Sequence, residues 1–220
     1  MKHRLVVFDH DDTLVNSTPM IHYPSFVEVL KELRPRMAVT MDEFLSYSFE
    51  PGFVEMCHGI FGFTDDEMEF EYDCWLKYVK GIVPRAFKEV KPLLERLRTA
   101  GVRTAVVSHS REENILRDFR VNGLPLPDDI YGWVPEKEKR KPSPWPLERL
   151  IEKYSLAPGE IIVLDDLRPG LVMADSAGAD FAAAGWGYDV PAVRSAMRAC
   201  CKEGMYFTDI ASFEEFLFNA

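Results

Sequence analysis

Long apolar runs are missing from this chain. Nowhere do its 220 residues hold the roughly 20 consecutive apolar positions that a membrane helix needs. The first apolar run, Leu5 to Phe8, is too short for a signal peptide. Basic residues are in deficit, 26 Lys and Arg against 36 Asp and Glu, and the net charge of −10 argues against nucleic acid or an anionic membrane as partner. The one basic cluster (Lys137, Lys139, Arg140, Lys141) is interleaved with Glu136 and Glu138 and reads as a loop feature. The four cysteines, Cys57, Cys74, Cys200 and Cys201, show neither a CxxC nor a Cys/His spacing. Free thiols in a reducing compartment, hence a cytoplasmic protein, are the expectation.

With 47% apolar and 28% charged residues, the chain can bury a sizeable core, as one large domain or one domain with an insertion. Leu5-Val6-Val7-Phe8 reads as a strand buried on both faces, as inside a parallel sheet. It runs into Asp9, Asp11 and Asp12, three acids within four positions. So much negative charge at the end of a buried strand is costly unless a cation neutralises it, and hard divalent cations take carboxylate oxygens. A solvated acidic turn is the alternative from this segment alone.

Residues 16–86 are predicted to be all helical. Phe26, Val27, Leu30 and Leu33 recur at helical spacing up to Arg34-Pro35, and Phe44, Leu45 and Tyr47 suggest a second, short helix. A third opens at Pro51. Thr64-Asp65-Asp66-Glu67 is a capping box that starts a fourth helix, with Met68, Tyr72, Trp75, Leu76 and Val79 as its apolar stripe. From Pro84 onward helices and strands alternate. Strands are expected at Val102 to Val107, Ile130 to Val134, Glu160 to Leu164 and Asp180 to Ala184, with Tyr206-Phe207 as a last short one. This alternation predicts an α/β fold, a doubly wound parallel sheet, with a helical insertion.

Open α/β sheets bind ligands beyond the carboxyl ends of their strands. Here those ends offer Asp9 and Asp11, then Ser108, then Asp165 and Asp166, while Lys141 sits in a loop just before a helix. Metal-binding carboxylates, a hydroxyl and a fixed positive charge form a coherent set for phosphoryl transfer. Taken singly, Ser108 could end a strand in a turn, and Asp165-Asp166 could cap the next helix.

The ordered segments Asp9-His10-Asp11-Asp12-Thr13, Thr104-Ala105-Val106-Val107-Ser108, Lys141-Pro142 and Ile161-Ile162-Val163-Leu164-Asp165-Asp166 resemble the four motifs of the haloacid dehalogenase-like hydrolase superfamily. The likeness is to members with a helical cap after the first motif, such as phosphoglycolate phosphatase-like and β-phosphoglucomutase-like enzymes. It implies a Rossmann-like core of residues 1–15 and 87–220 and a cap of residues 16–86. It also implies a Mg2+-dependent phosphatase of a small phosphate ester, acting through an aspartyl-phosphate. In that scheme Asp9 attacks phosphorus, Asp11 moves protons, and Ser108 and Lys141 bind the phosphoryl oxygens. Mg2+ is held by Asp9, the Asp11 carbonyl and Asp166, with Asp165 acting through a water. His22 and His109 are substrate-contact candidates, and Arg34, Arg36, Tyr47 and His58 are further cap candidates. Asp12 stands where many members have glycine. A phosphomutase, or a non-catalytic module on the same fold, are the competing readings. The cap carries 12 acids and 6 bases, net −6, which points toward a neutral or cationic leaving group unless those acids lie on its outer face.

Overall fold

In the computed structural model, which describes residues 2–219, the sequence pattern becomes a six-stranded, all-parallel sheet. Its strands are β1 (Leu5–Phe8), β2 (Arg103–Val107), β3 (Asp129–Tyr131), β4 (Ile161–Asp165), β5 (Asp180–Ala184) and β6 (Tyr206–Phe207), in the order β3-β2-β1-β4-β5-β6. The chain begins at the centre, winds outward through β2 and β3, then crosses to β4 on the other side of β1. The ends of β1 and β4 therefore form the switch point where such sheets open a ligand crevice.

Alternation along each strand builds two cores. Leu5, Val7, Ala105, Val107, Ile161 and Val163 face one side, packed with Leu147, Met173 and Val193. Val6, Phe8, Val106, Ile162 and Leu164 face the other, packed with Leu93, Phe119 and Phe213. Burial on both faces is why these strands read as unbroken apolar runs rather than alternating ones.

Between β1 and the return to the sheet every element is helical: α1 (Tyr23–Leu33), α2 (Met41–Tyr47), the short α3 (Phe53–Glu55) and α4 (Asp65–Gly81). Wider turns at Thr18–His22, Ser48–Gly52 and Met56–Ile60 link them. The chain leaves and re-enters the sheet region side by side: Asn16 N donates to Arg85 O at 2.9 Å, and Phe87 N to Leu14 O at 3.1 Å. The remaining helices are α5 (Val90–Thr99), α6 (Glu112–Val121), α7 (Trp145–Tyr154), α8 (Arg168–Ala177), α9 (Pro191–Cys200) and α10 (Ile210–Asn219). Among the described residues no helix is long and apolar enough to cross a membrane.

The capping box at Thr64 and Glu67 forms as expected, and a second one, Thr40 with Glu43, starts α2. Phe26 centres the helical segment, its ring 5.2 Å from that of Phe61 and 5.3 Å from that of Phe44. Arg34 belongs to this packing. It grips Glu67 through two 2.8 Å hydrogen bonds and donates to the carbonyls of Phe61 and Gly62. The predicted apolar stripe of α4 is only partly right. The face turned to α1 carries Glu71, Cys74 and Val79, whereas Tyr72 and Trp75 look toward the strand ends. Aromatic rings at helical spacing gave the right period but an incomplete face, because two of them serve polar contacts.

Phe26 is fully buried, so Phe26→Ala leaves a cavity where the aromatic cluster met and costs about 3–5 kcal/mol. Urea unfolding followed by circular dichroism checks this. A midpoint equal to that of the parent chain contradicts the packing described.

Candidate active site

Pairing of Phe8 with Leu164 places the next residues of β1 and β4, Asp9 and Asp165, side by side. Asp9 N donates to Leu164 O at 2.8 Å and fixes the register of the two ends. Asp9, Asp165 and Asp166 are all buried, and each offers a carboxylate oxygen within 4.8 Å of the others. Lys141, itself buried, reaches in from the loop before α7. Its Nζ donates to Asp165 Oδ2 at 2.6 Å and lies 2.7 Å from Asp9 Oδ1. The second contact lacks hydrogen-bond alignment, so Asp9 Oδ1 is a buried acceptor with no aligned donor.

The electrostatics follow from this crowding. Burial by itself would lower the proton affinity of Lys141, but Asp165 and Asp9 more than offset it and hold the ammonium charged. Burial pushes Asp165 up to about 7, with Lys141 pulling against it and Asp9 adding to it. Burial, joined by Asp165, Asp9 and Asp12, also lifts Asp166 well above the ordinary carboxylate range. Three carboxylates against one ammonium leave two formal negative charges in a site shielded from water. A hard divalent cation carries the charge that is missing and prefers such oxygen donors, so these residues fit one.

Two neighbours, Thr13 from the end of the first motif and Tyr188 from outside the motifs, hold the cluster in place. Tyr188 donates from its hydroxyl to Asp166 Oδ2 at 2.9 Å, and Thr13 Oγ1 lies 3.4 Å from Asp166 Oδ1. Gly170 at the start of α8 has no room for a side chain, since a Cβ there would lie 2.3 Å from Asp165 Oδ2. Thr13 closes the first motif without a role of its own in the sequence reading, and Tyr188 carried no signal in the sequence.

Asp11 points elsewhere. Its Oδ2 accepts from Ser110 Oγ at 2.6 Å and its Oδ1 from His22 Nε2 at 3.3 Å. Trp75 Nε1 donates to His22 Nδ1 at 3.0 Å, which leaves the ring proton on Nε2, facing Asp11. Burial raises the Asp11 carboxyl, but the hydrogen bonds it accepts from His22 and Ser110 outweigh it. The carboxyl is held well below the usual range. The expectation that Asp11 exchanges protons near neutral pH is therefore not met by this arrangement on its own. His22, entering from the helical segment, is brought onto Asp11.

The other candidates separate. Ser108 is buried at the end of β2, where its Oγ accepts from Ser110 N at 3.1 Å. His109 pairs through Nε2 with the Lys141 carbonyl at 2.7 Å and so steadies the lysine loop rather than the acids. Burial, helped by the Lys141 charge, lowers its proton affinity. Arg34 and His58 are bound within the helical segment, His58 to Phe63 O at 2.7 Å. His10 turns away from the acids to Asp118 Oδ2 at 3.1 Å. Asp12 sits at φ 53°, the left-handed region that favours glycine, and its Oδ1 accepts from Ser17 N and Thr18 N. Those two bonds are how an aspartate holds a glycine's position here.

Buried carboxylates and a buried lysine at the switch point of a doubly wound sheet define an enzyme site of the acidic, phosphoryl-handling kind. Residues 6–184 match the family model described as haloacid dehalogenase-like hydrolase, and the chain belongs to that family. A protein of Caldanaerobacter subterraneus bearing the pyrophosphatase name PpaX is 27% identical over 189 residues, covering 84% of this chain and 83% of its own. A haloacid dehalogenase-like protein of Agrobacterium tumefaciens shares the fold with a TM-score of 0.80 at 15% identity, covering 99% of this chain and 98% of its own. A family hydrolase of Deinococcus radiodurans, solved with bound phosphate and sodium, aligns with a TM-score of 0.76 at 22% identity, covering 99% and 96%.

Replacing Lys141 by methionine leaves three buried carboxylates with no cation. Breaking a buried ion pair from one side costs about 3–5 kcal/mol, and Lys141→Met is expected to lose that much in chelator-treated protein. Equilibrium urea unfolding measures it, and an unchanged stability contradicts the assignment of Lys141 as the cluster's counter-charge.

Proposed function

We propose that this chain is a Mg2+-dependent phosphatase that hydrolyses a small phosphorylated metabolite through an aspartyl-phosphate on Asp9. The observation that carries the reading is the Lys141 ammonium set between Asp9 and Asp165, with Asp166 beside them. Asp9 Oδ1 is engaged by the Lys141 ammonium at 2.7 Å, close to where a phosphoryl group bound by Lys141 would sit.

Asp9 attacks phosphorus, the ester P–O bond breaks, and the departing alkoxide takes a proton from Asp11. A water then gives a proton to Asp11 and attacks the same phosphorus, which releases phosphate and restores Asp9. Asp11 starts out ionised against His22 and Ser110. As a phosphoryl group arrives, its negative charge raises the proton affinity of Asp11, which takes up a proton from solvent; this is the proton it gives to the alkoxide and regains from the attacking water. Lys141 and Ser108 hold phosphoryl oxygens, while His109 positions the Lys141 loop. Asp9, the Asp11 carbonyl and Asp166, with Asp165 behind them, would hold Mg2+, which would supply positive charge against the phosphoryl oxygens.

Residues 16–86 act as a cap over a core of residues 1–15 and 87–220. The contacts of His22 with Asp11 and of Trp75 with His22 tie the helical segment to the proton-transfer residue. A cap so placed keeps water from the site until the leaving group has departed. The phosphate bound in the Deinococcus relative and the pyrophosphatase name of the Caldanaerobacter relative are in keeping with phosphate chemistry.

A panel of phosphorylated metabolites with phosphate detection tests the reading. Phosphate release is expected with Mg2+, lost in EDTA and restored by excess Mg2+. Asp9→Asn is expected to lower turnover by at least about 10³-fold, since the nucleophile is removed. Turnover that survives in Asp9→Asn, or is equal with and without EDTA, sinks the reading.

A further inference from the structure

The charge of the cap does not decide the leaving group. Of its 12 acids, ten are exposed, Glu67 is tied to Arg34, and Glu71 alone is buried. The acidity lies on the solvated face. The charge beside the site has the opposite sign and comes from the sheet's own loops.

Arg111 follows Ser110 and Arg140 precedes Lys141 in the sequence, so both arginines lie on loops that carry active-site residues. Between them stands Trp133, 39% exposed, on the loop after β3. Its ring centroid lies 5.8 Å from the Arg111 guanidinium carbon and 5.1 Å from that of Arg140. Trp133 is anchored to the active-site loop through its backbone, N to Ser110 O at 2.9 Å, and Ser110 Oγ is the donor to Asp11. Two hydrogen bonds therefore separate the tryptophan from the proton-transfer residue. Gly132 permits this approach, since a Cβ there would lie 2.5 Å from Glu112 N. Across the cleft Arg111 also donates to the Tyr72 hydroxyl of α4.

Both arginines keep donors in reserve. Arg111 has one carboxylate within reach, Glu113 at a long 3.9 Å, and Arg140 has none among the described residues and donates to Val134 O at 3.1 Å. A guanidinium offers five N–H donors, in a fork that matches carboxylate or phosphate oxygens. In a chain of net charge −10, two such cations with unused donors, gathered on one tryptophan and carried by active-site loops, need a reason. Cation–π contact with one shared tryptophan fixes them side by side.

We propose that Arg111, Trp133 and Arg140 form the leaving-group subsite, and that it takes an anionic group, a second phosphate or a carboxylate. This rests on the phosphatase reading above and names its substrate class. The arginines bind the far oxygens while Lys141 and Ser108 bind the group being transferred.

The test compares kcat/KM for pyrophosphate and 2-phosphoglycolate with that for p-nitrophenyl phosphate, whose leaving group carries no second anion. In Arg140→Ala and in Arg111→Ala the ratio of anionic to aryl substrate is expected to fall at least tenfold, chiefly through KM. A fall in one anionic substrate alone identifies whether phosphate or carboxylate is the ligand. A ratio that stays put in both variants overturns the subsite. Calorimetric binding of methylenediphosphonate to the full chain in Mg2+ provides a readout without turnover. Its Kd is expected to rise tenfold or more in either variant. An unchanged Kd overturns the subsite, whereas arginine-dependent binding in a chain that hydrolyses nothing upholds it and defeats the phosphatase reading instead.

Discussion

A single buried ammonium holds the acidic end of this sheet together. Lys141 Nζ sits within 2.7 Å of carboxylates from two adjacent strands, and all three groups are shut away from bulk water. Without it β1 and β4 would end in like charges that repel at close range in a low-dielectric setting. The surrounding structure serves that contact. His109 fixes the Lys141 carbonyl, Gly170 yields room to Asp165, and Tyr188 and Thr13 orient Asp166. Since one ammonium cannot balance three carboxylates, the same arrangement leaves room for a divalent cation and an anionic substrate.

The helical segment meets this site through polar contacts, while its apolar side belongs to the same cluster as Leu5, Val7 and Val193 of the core. His22 and Trp75 form a relay that ends on Asp11, and Tyr72 meets Arg111. The aromatic cluster around Phe26 holds the helices of the segment together.

Much of the fold was legible in the residues. Strands buried on both faces leave unbroken apolar runs, so β1, β2 and β4 stand out, and the polar residues that end them mark the crevice. Gly101 and Gly178 follow α5 and α8 in the left-handed conformation that closes a helix. What the sequence hides is direction. Tyr72 and Trp75 share a helical period with core residues yet turn outward to bond. His10 lies between two site acids yet bonds Asp118, because successive residues beyond a strand end leave on opposite sides. Tyr188 and Ser110 reach the site through tertiary approach, for which no spacing rule exists. The pull of His22 and Ser110 on Asp11 likewise depends on a contact between segments far apart in the chain.

The central claim is that Asp9 is the nucleophile of a covalent reaction, and reductive trapping tests it most directly. Borohydride added during turnover converts an acyl phosphate to the alcohol, so residue 9 should appear as homoserine in peptide mass spectrometry. The modification is expected only with substrate and Mg2+ present, and not in Asp9→Asn. Turnover without trapping at residue 9, or trapping at Asp11, Asp165 or Asp166 instead, contradicts the account.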